Sequence, residues 1–159
     1  MTREIKFRAW DKDNLEMCEM FWVGSLQGMV RNVIQQDKNG EWVTLGKPLV
    51  NYELMQYTGL VDKAGKEIYE GDVIKCCDGK IYKITFPSMG FGFCMDWYDN
   101  ERKVGTRQLI GDYYNSVVHS GPSKSTTPDG KSTGDEWEQE HTPQVIGNIY
   151  ENPELLKGA

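Results

Sequence analysis

The sequence predicts a mainly β fold. Two observations carry that expectation: short apolar runs alternate with polar residues at period two, and turn-forming stretches rich in Asp, Asn and Gly separate them. Ile5 to Trp10 alternates, DKDN at 11–14 reverses the chain, and Leu15, Met17 and Phe21 resume, so a strand, a turn and a second strand are expected. MVRNVI at 29–34 fits either a strand or one to two turns of helix, because so short a run does not settle its own period. DKNG at 37–40 is turn chemistry again, followed by Trp42 to Leu45. LMQY at 54–57 alternates and is closed by Gly59 and by the DKAGK turn at 62–66. Val73 to Cys77 then meets Asp78-Gly79 and continues through Lys80 to Phe86, which reads as a hairpin with a two-residue type I′ turn.

Phe91, Phe93 and Met95 alternate with Gly92, Cys94 and Asp96 and predict a further strand, bent at its glycine, before a turn in YDNERK at 98–103. Composition changes in 119–143, where Trp137 stands among Ser, Thr, Gly, Pro and acids; a mobile loop is expected, with a linear motif around DEWEQE as the functional alternative. VIGNIY at 145–150 predicts a last strand interrupted by Gly147-Asn148. Asn152 as N-cap, Pro153 and Glu154 predict a short terminal helix whose leucines seal one end of the sheet.

The bulk numbers fit one domain, or one with a small companion, and a chain of 159 residues buries a core without metals or disulfides. Of the net charge of −6, most falls in residues 116–159, with 3 Lys/Arg against 7 Asp/Glu, while the two preceding segments are each within one charge of neutral. No window holds the basic stripe that duplex DNA binding by counterion release requires, so nucleic acid is disfavoured as a partner. Cys18, Cys76, Cys77 and Cys94 contain no CxxC, and His119 and His141 do not complete a zinc set, so reduced thiols, no metal and no cofactor are expected. The start of the chain has no apolar stretch of signal-peptide or membrane length, which points to the cytoplasm and away from membranes.

Three separated blocks, REIKFRAWDK, LMQYTGLVDKAGKEIYEGDVIK and VIGNIYENPELL, together resemble the YopX family of phage and prophage proteins, in the same order. The resemblance implies a phage or prophage origin, hence a bacterial host cytoplasm, and a C-terminal half like an SH3-like small β-barrel. It implies no activity. The resulting organisation is a β-hairpin region over 1–58, an SH3-like barrel over 59–151 containing the 119–143 loop, and a terminal helix and tail over 152–159. The 119–143 segment is longer and more polar than the family pattern leads one to expect.

In this frame the glycines and acids of YTGLVDKAGKEIYEGDVIK are architectural. Gly59, Gly65, Gly71, Asp72, Asp78, Gly79, Gly147 and Asn148 carry turns and strand entries: Gly71 for a conformation that a Cβ penalises, Asp72 to accept from nearby backbone amides. The carboxylate pairs Glu70/Asp72, Asp96/Asp99 and Glu136/Glu138 have no basic orienter at a telling spacing and are expected to be solvated. No nucleophile elbow, Walker-type loop or Cys–His pair is present, so no catalytic residue is assigned and a non-enzymatic protein is expected. Aromatics are more numerous than a lean β core needs. Tyr57, Tyr69, Phe91, Phe93, Trp97 and Tyr98 are the candidate binding face, for a protein partner or a second copy of the chain. Single-stranded nucleic acid stacked on the same rings is the first alternative, and an enzyme built from carboxylates and tyrosines the second.

Overall fold

The computed structural model describes residues 5–26, 29–37, 39–44, 49–87, 92–99, 102–103, 108–114 and 140–157. The fold is mainly β, with two antiparallel sheets and little helix. The chain divides into two compact units, Met1–Gly59 and Leu60–Ala159. The 119–143 loop and its Trp137 motif lie outside the described residues except at 140–143, and Glu136 and Glu138 lie outside them entirely.

The first unit is an antiparallel meander of β1 (Phe7–Asp11), β2 (Glu16–Leu26), β3 (Met29–Gln36), β4 (Trp42–Thr44) and β5 (Tyr52–Val61), ordered β4-β3-β2-β1-β5. MVRNVI is thus a strand; its two valines and isoleucine favour extended backbone once strands pair on both sides. Ala9 sits opposite Cys18 on one side and Leu54 on the other, and Ala9, Cys18 and Tyr52 form a small buried cluster covered by Phe7 and Leu54. The period of two brings these side chains to one face.

Leu60 and Val61, the end of β5, belong to the second unit, where β6 (Glu67–Tyr69) pairs back onto β5. The second sheet comprises β7 (Asp72–Lys75), β8 (Ile81–Thr85), β9 (Cys94–Asp99), β10 (Arg102–Lys103) and β12 (Gln144–Asn148), ordered β10-β9-β8-β7-β12 and curled as a half-barrel; β11 (Gln108–Leu109) also pairs with β9. Its core joins Ile68, Ile74, Cys76, Ile84, Phe93, Met95 and Val145 to Ile110, Tyr113 and Tyr114. Those last three come from a one-turn helix, α1 (Ile110–Tyr113), and its C-terminal neighbour. Fully burying an isoleucine side chain is worth roughly 1.5–3 kcal/mol, so this cluster dominates the unit's stability. The further strand begins at Cys94 rather than Phe91, which lies outside the described residues. No described helix is long and apolar enough to cross a membrane.

Three hairpins share one reversal. In Asp37–Glu41, Asp62–Lys66 and Cys76–Lys80 the first amide donates to the fifth carbonyl at 2.9, 2.8 and 3.1 Å, and the fourth residue's amide donates to the first carbonyl at 2.9, 2.9 and 3.0 Å. That fourth residue is Gly40, Gly65 or Gly79, at φ +82°, +81° and +79°. This is a type I turn followed by a left-handed glycine, so the two-residue type I′ turn expected at Asp78-Gly79 is corrected. Register explains it: Lys75 opposite Ile81 leaves five residues to reverse the chain, and only the glycine takes positive φ. Asp78 instead accepts the Lys80 amide at 3.0 Å. In the first of these turns the Glu41 and Asn39 amides hold the Asp37 carboxyl below its ordinary range.

Gly71 meets its expectation closely. Its φ is +80°, its amide donates to Ile84 O at 2.9 Å and its carbonyl accepts from Ile149 N at 3.0 Å, so both backbone groups are committed in a conformation that a Cβ penalises. Gly71→Ala is expected to cost about 1–2 kcal/mol in urea unfolding.

The C-terminus differs from expectation. Pro153–Leu156 is a 3₁₀ turn, and the Asn152 side chain does not cap it. The Asn148 carboxamide instead holds the preceding turn: its Oδ1 accepts the Tyr150 and Glu151 amides, both at 2.9 Å, while its Nδ2 donates to Glu151.

Candidate functional site

The aromatic rings are placed singly. Tyr57, in the first unit, is 8% exposed and has Lys6 Nζ 5.6 Å from its ring centre. Tyr69 and Phe93, in the second unit, are 8% and 6% exposed. The Tyr69 hydroxyl donates to Glu67 at 2.7 Å, and Phe93 packs edge-on against Phe86 at 5.1 Å. Trp97 is half-buried beneath Lys80 Nζ at 4.9 Å. Phe91 lies outside the described residues, and Tyr98 is described only in its backbone, paired with Lys103. Tyr57, Tyr69 and Phe93 are therefore buried rather than presenting ring faces to solvent. The reason is alternation itself, which sends every second residue of a covered strand inward.

The expectation of solvated carboxylates is overturned for Asp72 and Asp96, which are 1% and 2% exposed. Asp72 Oδ2 accepts the Tyr69 amide at 2.8 Å, as its place beside Gly71 suggested. Asp96 Oδ2 accepts from Thr85 Oγ1 at 3.1 Å. Asp72 is buried with the turn amide that it accepts, whereas Asp96 lies within β9 opposite Lys83, where strand pairing, which residue spacing does not reveal, decides burial.

A third buried acid, Asp62, joins distant parts of the chain. Its Oδ1 accepts the Ala64 and Lys66 amides at 2.8 and 2.9 Å, while Oδ2 accepts the Val145 amide at 3.1 Å across 83 positions. Beside it, Lys63 N donates to Pro143 O at 3.1 Å and the Tyr114 hydroxyl to Val61 O at 2.5 Å. The local half of this arrangement is legible in the D-x-x-G pattern shared with Asp37; the Val145 contact is not.

At the tip of the β7–β8 hairpin, titratable groups gather. Cys77 is exposed with Sγ 3.8 Å from the Tyr113 hydroxyl, which donates to His141 O at 3.1 Å. Burial pushes the Cys76 thiol up to about 12 and raises Tyr113 well above its ordinary value. Burial, then the Asp78 charge, pushes Tyr82 up to about 12. Lys80 bridges Asp78 at 3.2 Å. These shifts keep the phenols and the inner thiol protonated at neutral pH, which suits hydrogen-bond donation and not proton abstraction.

The first unit has an exposed apolar end. Leu15, on the β1–β2 turn, is 69% exposed, and Val50, on the 3₁₀ turn Leu49–Asn51, is 73% exposed. The two turns are bonded together: Lys12 N donates to Asn51 O at 3.0 Å and Asn51 Nδ2 to Asp13 Oδ2 at 2.8 Å. Asp11, 2% exposed, organises the first turn by accepting the Asp13 and Asn14 amides. Leu15 has a φ of +55°, the only positive value at a described non-glycine residue. In the sequence Leu15 reads only as the start of a strand. Its signal was its place after an Asp-Asn turn, where the chain commonly passes through the left-handed region.

No curated protein shows significant similarity to the chain. Among solved structures, protein EF1440 from Enterococcus faecalis is similar over 98% of this chain and 99% of its own, at 25% identity and a TM-score of 0.57. The family model described as YopX protein matches residues 6–157. With nearly all of its length inside that match, the protein belongs to the YopX family.

Proposed function

We propose that this chain is a non-enzymatic phage accessory module that works in the bacterial cytoplasm by contacting protein, either a partner or a second copy of itself, with its second unit serving as an SH3-like barrel. One observation carries the reading: Leu15 is held exposed in a left-handed conformation, beside exposed Val50, although glycine or asparagine would occupy that position at lower cost. Apolar side chains kept on a tip at a conformational cost are what a contact requires and folding alone does not. Stacking of single-stranded bases loses support because Tyr57, Tyr69 and Phe93 are buried; its remaining foothold is the Lys80–Trp97 pair.

The test is capture from nuclease-treated host lysate, together with light scattering of the purified protein. A protein partner, or a mass above that of one 18.2 kDa chain, is expected with the parent and is lost with Leu15→Asn combined with Val50→Ser. Retention that disappears on nuclease treatment, or that survives the double substitution, contradicts the reading.

A further inference from the structure

We propose that Trp97, Tyr82 and the Asp78 carboxylate, beside the β7–β8 turn, form a site for the guanidinium of an arginine side chain on a protein partner, a place that Lys80 fills in the free chain. Tyr82 and Trp97 stand directly opposite each other on β8 and β9, so their half-buried rings share one face of the sheet. Lys80 Nζ lies 4.9 Å from the Trp97 ring centre and, at the same time, 3.2 Å from Asp78 Oδ2. The Tyr82 hydroxyl donates to that same oxygen at 3.5 Å. This corner therefore already holds a cation between a carboxylate and an indole, and the lysine stands in for one supplied from outside.

The carboxylate is fixed by its other oxygen. Asp78 Oδ1 accepts the Lys80 amide at 3.0 Å, in a turn closed by Cys76 N to Lys80 O at 3.1 Å and Gly79 N to Cys76 O at 3.0 Å, which leaves Oδ2 for the cation. Lys80 itself is held weakly: its side chain and that of Asp78 are 46% and 41% exposed, and an ion pair in such surroundings contributes little. A guanidinium suits the corner better than an ammonium. It is less strongly hydrated, lies flat on an indole, and presents N–H donors to Asp78 Oδ2 and the Tyr82 hydroxyl oxygen together. Lys80 also fixes the sign of the ligand, because it competes with an incoming cation but would assist a phosphate backbone. The site belongs to the second unit and does not rest on the Leu15–Val50 contact.

The experiment titrates the isotope-labelled full chain with N-acetylarginine N-methylamide and reads the Trp97 indole N–H by NMR, its signal assigned with Trp97→Phe. Binding is expected to tighten roughly 2- to 5-fold in Lys80→Ala, the factor that an exposed cation–π contact supplies when its competitor is removed. Adding Asp78→Asn to Lys80→Ala reverses that gain, since the amide oxygen still serves the Lys80 N–H and keeps the turn closed while the charge is lost. The citrulline analogue, a neutral isostere, binds more weakly than the arginine probe. No response in Lys80→Ala, weaker binding there than in the parent, or equal binding of the two probes overturns the site. A parallel titration with oligothymidylate covers the other ligand sign: a Trp97 response that Lys80→Ala abolishes would give the corner to single-stranded nucleic acid and overturn the proposal. The amide spectrum of each variant shows that the comparison is between folded proteins.

Discussion

Asp62→Ala is expected to destabilise the second unit by about 3–5 kcal/mol, because it strips the acceptor from three amides at once and hydrogen bonds to charged groups are the stronger class. The Ala64 and Lys66 amides sit in a partly exposed turn and recover bonds to water. The Val145 amide is buried and does not. Asp62→Asn separates these contributions: its oxygen still serves the turn, but its NH₂ then meets the Val145 N–H donor to donor. Urea unfolding of the two variants should rank them parent, Asn, Ala, and amide exchange at Val145 should accelerate in both. Equal stability of parent and Asp62→Ala contradicts the clamp.

The second large effect is expected at Gly147. A Cβ there would stand 2.5 Å from Asn152 Oδ1 and 2.6 Å from Leu155 Cδ1, well inside contact distance. β12 has an irregularity between Val145 and Gly147, and the side chains of Asn152 and of Leu155, in the 3₁₀ turn, lie over the glycine. Gly147→Val therefore displaces the half-buried Asn152 and Leu155 side chains, at an expected cost of about 1 kcal/mol, the low end of what overpacking costs. Leu155→Ala in the same chain removes one of the two obstructions and should recover part of the loss, so a double-mutant cycle in denaturant reads the contact directly. Strict additivity of the two substitutions would mean that Leu155 does not press on position 147.

These two residues show which parts of the fold the sequence discloses. The hairpins were legible because a turn is written in its own few residues: Asp37, Asp62 and Asp78 stand where their carboxylates accept turn amides, and Gly40, Gly65 and Gly79 stand where φ is positive. The detail of the Asp78-Gly79 turn was not, because the choice between a two-residue and a longer reversal depends on strand register. α1 left no signature, four residues being shorter than a helical period can show, yet it supplies three core side chains with Tyr114 included. The burial of Asp72 and Asp96 and the clasp from Asp62 to Val145 depend on pairings between distant strands. Aromatic content misdirected the site in the same way: counting rings does not tell which face of a strand is covered, and Tyr57, Tyr69 and Phe93 are on covered faces.

If the tip serves contact, Leu15 is kept there at the expense of the fold. The most direct measurement is the thermal midpoint of Leu15→Gly against the parent. Relief of the left-handed strain outweighs the added freedom of glycine in the unfolded chain, and the exposed side chain contributes little burial, so a gain of about 0.5–1 kcal/mol, or roughly 1–3 °C, is expected. A midpoint below the parent's would show that Leu15 stabilises its own unit, and would remove the reason for assigning that tip to a partner.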